Sequence, residues 1–228
     1  MQFGPFDQPF AFVRSDEGRL ACLDEEGTVL WLDERHELPA PAMALAFHGE
    51  DLAILADDAL WRWGAKGTIP VPPGARAIAF TMGGGLLLGC PRQLFRLGDH
   101  PLELTLPEDF DLRALAVDTG GFWVGGATEV IGYRPVPGGV AERRRIPVSA
   151  PVRAMAPGPD GRLYLLLEPG REVYCETEHR GTATRDLFGM VREGPRLVGL
   201  ADEGLAELSR FVGDAPDAPD IEIPNCDG

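Results

Sequence analysis

Six short apolar passages recur along this chain at a nearly constant interval: Leu20–Leu23, Leu52–Leu55, Leu86–Leu88, Phe122–Val124, Leu163–Leu166 and Leu197–Leu200. Their starts lie 32, 34, 36, 41 and 34 residues apart, and each passage is entered from a turn rich in Gly or Asp. A fixed period with strand-type content is one supersecondary unit repeated. Such a unit cannot bury its apolar face alone, so the copies must stack on one another.

The flanks of these anchors repeat as well. Eight to eleven residues after each anchor begins comes a second apolar mark: Leu30-Trp31, Leu60-Trp61, Leu94-Phe95, Val130-Ile131, Val173-Tyr174 and a lone Leu208. Before four of them lies a small-residue strand, at Ala44–Phe47, Ala77–Phe80, Ala114–Val117 and Ala154–Ala156. Most units close on an apolar residue followed by proline, as in Leu38-Pro39, Ile69-Pro70, Leu106-Pro107, Ile146-Pro147 and Ile223-Pro224. Proline cannot donate to a ladder and belongs at strand ends or sheet edges. The unit therefore reads as four antiparallel strands: a small inner one, the apolar anchor, an aromatic-ended third and a proline-closed outer one. Asp160-Gly161, Gly120-Gly121 and Gly83-Gly84-Gly85 supply the tight turns.

Four-stranded units of this length predict a β-propeller, all-β and six-bladed, with residues 1–228 as a single domain. Ala and Gly suit the crowded axis, and bulk or Pro the roomier rim. The fifth unit lacks the apolar-Pro mark near Thr182–Arg185. The last outer strand is expected at Ile221–Pro224, and Glu203–Phe211 is the one stretch with helical character.

Charge narrows the partners. With 36 acidic against 21 basic residues, the formal net charge is −15. Phosphate contacts need basic surface, so nucleic acid and anionic membranes are not expected partners, and another protein is. Met1–Pro9 has neither a basic residue nor an apolar signal core. The four cysteines, Cys22, Cys90, Cys175 and Cys226, have no CxxC spacing. A cytoplasmic protein with reduced thiols is the simplest expectation.

Against the acidic background one basic pattern stands out. Arginine immediately precedes the small inner strand in three successive units, at Arg76, Arg113 and Arg153. Equivalent positions in consecutive blades fall on one arc, so the three guanidinium groups are expected at one mouth of the central channel. Their planar forks suit carboxylate or phosphate. The competing expectation is that each pairs with a neighbouring carboxylate or caps exposed carbonyls. A second run, Arg143-Arg144-Arg145, falls on an outer strand, where charge protects an edge or offers a docking patch.

Catalytic constellations are weak. His36, His48, His100 and His179 share no metal-like spacing, and no GxSxG, HExxH or GxxxxGK[ST] occurs. Gly83–Gly85 precedes a strand and lacks the Lys-Ser/Thr of a phosphate loop. Asp16, Asp118, Asp160 and Asp202 recur at turns, where Asp bonds its own backbone. No catalytic residue, metal or cofactor is expected.

Leu20–Trp31, with Asp24, Gly27 and Trp31, resembles the quinoprotein-like (PQQ-like) propeller repeat. Val152–Glu176, with its Pro-Asp-Gly turn, resembles the NHL/SMP-30-like layout. Both resemblances imply the propeller class without a shared activity. In size and style the chain also looks like the propeller components of bacterial ternary systems built around MoxR-type or FtsH-type ATPases. The expected function is a non-catalytic scaffolding or protein-interaction propeller, with Arg76, Arg113 and Arg153 binding an acidic partner or ligand. The alternative is a small-ligand-binding, hydrolase or lactonase propeller with its site in the channel.

Overall fold

The computed structural model describes residues 9–14, 19–24, 29–31, 34–36, 40–56, 59–63, 68–98, 101–201 and 204–212. Its first blade comprises β1 (Pro9–Arg14), β2 (Leu20–Asp24), β3 (Val29–Trp31) and β4 (Glu34–His36). The second has β5 (Ala42–His48), β6 (Asp51–Ala56), β7 (Ala59–Arg62) and β8 (Thr68–Pro70). The third has β9 (Ala77–Phe80), β10 (Leu86–Cys90), β11 (Gln93–Leu97) and β12 (Leu102–Thr105). The fourth has β13 (Ala114–Asp118), β14 (Gly121–Gly125), β15 (Glu129–Val136) and β16 (Gly139–Pro147). The fifth has β17 (Val152–Pro157), β18 (Leu163–Leu167), β19 (Glu172–Cys175) and β20 (Glu178–Thr182). The last sheet holds β21 (Leu187–Glu193), β22 (Arg196–Ala201) and β23 (Gly204–Glu207), followed by a 3-10 turn at Ser209–Phe211.

Every sheet is an antiparallel meander in chain order. The expectation of six four-stranded blades is corrected: the described residues form five four-stranded blades, and the sixth sheet has three strands. The strand expected at Ile221–Pro224 lies outside the described residues, as do Leu38 and Pro39. Two smaller corrections concern the later units. Glu178–Thr182 is the fifth outer strand, earlier than expected, because a tight turn at Glu176 leaves little chain after β19. Of the stretch read as helical, Gly204–Glu207 pairs with β22 as a strand, and only Ser209–Phe211 curls.

The apolar runs exist because second strands are covered on both faces. All five residues of β10 and of β18 are buried, as are five of the six in β6 and in β22. A strand sandwiched between neighbouring blades has no solvent side, so its sequence does not alternate. Each junction between sheets has its own apolar cluster. Leu88 and Leu55 meet between the second and third blades, Leu87 and Val124 between the third and fourth, and Leu165 and Trp123 between the fourth and fifth. Leu166 and Leu197 join the fifth blade to the sixth sheet, and Leu23 and Ile54 join the first blade to the second. Leu20, Cys22 and Leu200 close the ring. Truncating one of these leucines to Ala would cost about 2–5 kcal/mol in transfer and cavity terms.

The first strands, β1, β5, β9, β13, β17 and β21, line up around the axis, each packing on the next, with β21 against β1. Outer strands carry charge and proline. Arg143–Arg145 and Pro147 lie on β16, and Pro70 ends the exposed β8. That composition blunts an edge that could otherwise pair with another chain.

Candidate interaction site at the mouth of the central cavity

The first strands enclose a cavity of about 1350 Å³. Its wall includes Ala44, Ala79, Leu115, Ala154 and Val191, all only partly buried. At one mouth stand the residues that enter these strands, and a repeated backbone device fixes their position. The main-chain N–H of Arg76 donates to Gly89 O at 2.9 Å, and that of Arg113 to Gly125 O at 2.8 Å, one residue ahead of β9 and β13. In β17 the register slips between Val152 and Ala154, so Arg153 is the extra, bulged residue. Bulges re-aim a side chain at the start of a strand.

Arg76, Arg113 and Arg153 therefore occupy equivalent positions, and all three line the cavity. The structure joins them into a chain of ion pairs and hydrogen bonds. Arg76 Nη2 donates to Asp111 Oδ1, and Arg113 Nε donates to Asp111 Oδ2 at 3.2 Å. Arg113 Nη1 reaches Glu168 Oε1 at 2.9 Å. Burial works to raise the Asp111 carboxyl, but the guanidinium groups of Arg76 and Arg113 outweigh it and hold the group below its ordinary value. Arg153 differs. Its Nη1 donates to Pro169 O at 3.1 Å and its Nε to Phe188 O at 3.4 Å, while the guanidinium carbon lies 5.4 Å from the Phe188 ring centroid. Among the described residues Arg153 has no carboxylate partner. Carboxylate pairing and carbonyl capping, the competing expectation for these arginines, are thus both present. Sequence reasoning did not name Asp111 or Glu168, whose partners lie 35 and 55 residues away along the chain.

The opposite mouth is built differently. Asp118 ends β13 and accepts from the Gly120 N–H at 2.7 Å, from Trp123 Nε1 at 2.8 Å and from Arg143 Nη2. Arg143 also lies over the Trp123 ring, 4.2 Å from its centroid. Burial opposes ionisation of Asp118, yet these three donors hold its carboxyl below the ordinary value. Asp160 plays the same turn role for the Arg162 N–H and the Tyr164 hydroxyl. Two of the recurrent turn acids are thus turn formers, and Asp16 and Asp202 lie outside the described residues.

The arginine run on β16 is occupied throughout. Arg143 binds Asp118, Arg144 binds Glu176, and Arg145 binds Glu142 and Glu129. This is protected-edge chemistry, with each cation engaged by its own acid. His179 contacts Glu172 and tilts against Tyr174, whereas His48 lies by Phe80. Among the described residues no three His, Cys, Asp or Glu side chains converge as a metal site. The described cysteines, Cys22, Cys90 and Cys175, are buried free thiols.

No family model and no curated protein matches the chain in sequence. Similar solved structures exist. The chain superposes on the extracellular domain of a one component system from B. thetaiotaomicron with a TM-score of 0.63 and 15% identity. That match covers 86% of this chain and 32% of the other, so this chain spans about a third of that neighbour's length. A catalytically inactive virginiamycin B lyase from Staphylococcus aureus, solved with quinupristin, gives a TM-score of 0.68 at 16% identity, over 95% of this chain and 85% of its own. The WD40 beta propeller domain of Doa1 gives 0.62 at 11% identity, over 91% and 94%. At such identities the likeness is one of fold, and by that fold the chain is a β-propeller. An extracellular domain, a WD40 domain and a lyase share it, so function has to be argued from the site.

Proposed function

We propose that this chain is a non-catalytic interaction propeller that docks an acidic segment of another protein at its arginine mouth. The observation that carries this reading is Arg153, a guanidinium on the cavity wall bonded only to main-chain carbonyls among the described residues. Beside it, Arg76 and Arg113 are held in place by Asp111 and Glu168. Three cations bonded to two carboxylates leave one positive charge for an incoming acid, and arginine binds carboxylate in a planar, bidentate fashion. The setting we propose is a cytoplasmic bacterial multi-protein system organised by an ATPase, on the resemblance of size and style alone.

The test is capture of partners by the tagged protein, run beside a triple variant (Arg76→Glu, Arg113→Glu, Arg153→Glu) and a single Arg153→Glu variant. Circular dichroism and thermal unfolding check that each variant folds. A partner held by the wild type and lost in both variants supports the reading. The single variant removes no ion pair seen among the described residues, so it separates lost binding from lost folding. Equal capture by all three proteins sinks the proposal. Small organic acids that raise the thermal midpoint of the wild type, with no protein captured, would move the site to a free ligand in the cavity.

A further inference from the structure

The position that carries Arg76, Arg113 and Arg153 recurs in every sheet, and its occupants fall into two kinds. In β21 the register slips between Leu187 and Gly189, which makes Phe188 the bulged residue. In β5 the slip lies between Ala42 and Ala44, which makes it Met43. In β1 it lies between Pro9 and Ala11, which assigns the register position to Phe10. Around the ring the order is Phe10, Met43, Arg76, Arg113, Arg153, Phe188. Three successive sheets carry a cation at this position and the other three a large apolar residue, of which Met43 and Phe188 line the cavity opposite the cations' half.

Phe188 stands where the two halves meet. It lines the cavity, is only partly buried and lies outside the buried clusters that join the sheets. The guanidinium of Arg153 stacks against its ring, and Phe188 O accepts from Arg153 Nε. An aromatic face on a cavity wall gains little from folding when no core residue covers it, and gains area when a ligand does. The cation beside it is the one that faces carbonyls, while the other two arginines, Arg76 and Arg113, already hold acids.

Resting on the reading of an acidic partner at this mouth, we infer that the mouth recognises a two-part signal: an acidic residue directly beside a bulky apolar one in a partner segment. The carboxylate engages Arg153, and the apolar side chain covers Phe188 and reaches toward Met43. A carboxylate without the apolar neighbour leaves Phe188 uncovered. An apolar residue without the acid leaves the charge of Arg153 unmatched, and desolvating an unpaired charge is costly. The signal therefore distinguishes such a segment from the many plain acidic stretches on protein surfaces.

The test is selection from a random eight-residue peptide-display library against the full chain, in parallel with Arg153→Gln and Phe188→Ser variants. Enriched peptides are then measured by fluorescence anisotropy. The expected consensus pairs Asp or Glu with Phe, Leu, Ile or Trp at the next position. Arg153→Gln should lose the acidic preference and Phe188→Ser the apolar one, each weakening the wild-type peptides by about tenfold or more. Arg76→Gln should weaken them less, since Asp111 already occupies that guanidinium. An acidic consensus with no preferred apolar neighbour, unaffected by Phe188→Ser, overturns this inference and leaves the acidic-partner reading standing. A consensus without acids, or no enrichment over the triple Arg→Glu protein, overturns both. Thermal midpoints of the two single variants within a few degrees of wild type show that specificity, not folding, was changed.

Discussion

Arg144, on the outer strand of the fourth blade, pairs with Glu176 in the last hairpin of the fifth, and Glu176 is held with φ at +56°. Among the described residues it is the one non-glycine residue with positive φ. The ion pair thus ties a strained turn to the neighbouring blade. The left-handed conformation costs an L-residue about 1–2 kcal/mol, and a partly exposed ion pair returns about 0–1 kcal/mol.

Those magnitudes give opposite outcomes for two substitutions at one site. Glu176→Gly relieves the strain and loses the pair, while adding about 0.5–1 kcal/mol of chain entropy to be lost on folding. The terms nearly cancel, and the unfolding free energy should stay within about 1 kcal/mol of wild type. Glu176→Val loses the pair and puts a β-branched residue in the same conformation, so it should cost about 2 kcal/mol or more. Urea unfolding of the two variants is the measurement, and equal destabilisation by both would refute the argument.

A second contrast concerns two glycines of the fourth blade. Gly121 opens β14 at φ +146°, and a Cβ there would lie 2.0 Å from Tyr133 O, a main-chain atom of the paired strand. Gly138, in the turn between β15 and β16, has φ +82° with open space around it. Gly121→Ala should therefore prevent the blade from closing or cost more than about 3 kcal/mol, whereas Gly138→Ala should cost about 1 kcal/mol, a local conformational penalty. Thermal unfolding by circular dichroism compares them directly.

Acid stability should report on Asp118. Its carboxyl sits below the ordinary value in the folded chain because Arg143, Trp123 and the Gly120 amide outweigh the opposing effect of burial. A depressed folded value means the unfolded chain takes up the proton first. The group's stabilising contribution is whole above the ordinary carboxylate value and is lost as pH falls through the folded one. Asp111 and Glu142 add to the same slope. Asp118→Asn should be less stable than wild type near neutrality, with the difference narrowing as pH drops below about 4. A gap between the two proteins that stays constant across that range would assign the loss to geometry instead of ionisation.

The repeat was legible because second strands are buried on both faces and inner strands next to the axis favour Ala, so Leu86–Leu88 and Ala77–Phe80 announce themselves. The inner strands β1 and β21 were not, since Phe10, Phe12, Phe188 and Met190 hide them among ordinary apolar segments. The arginine arc was readable from Arg-Ala spacing in three units. The apolar residues of the same ring were not, because Met43 and Phe188 share with the arginines a strand-entry position and no residue type. Asp111 and Glu168 were equally invisible, since a pairing between connections of different blades leaves no local pattern.

The thiols allow a test of ring closure that needs no partner. Cys22 sits with Leu20 and Leu200 in the cluster that joins the first blade to the sixth sheet, and burial pushes its thiol up to about 12. Burial raises Cys90 and Cys175 as well, partly offset by nearby arginines and, for Cys175, by the Tyr164 hydroxyl. The thiolate is the species that alkylates, and at pH 8 a thiol at about 12 is ionised in roughly one molecule in ten thousand. Iodoacetamide applied to the native protein at pH 8 should leave Cys22 unmodified for hours, and mass spectrometry of digests reads this residue by residue. Leu200→Ala, which opens the closing junction without touching the other clusters, should make Cys22 reactive well before Cys90 or Cys175. Simultaneous exposure of all three would mean that the ring opens as one cooperative unit, and rapid labelling of Cys22 in the wild type would show that the closing junction is not formed.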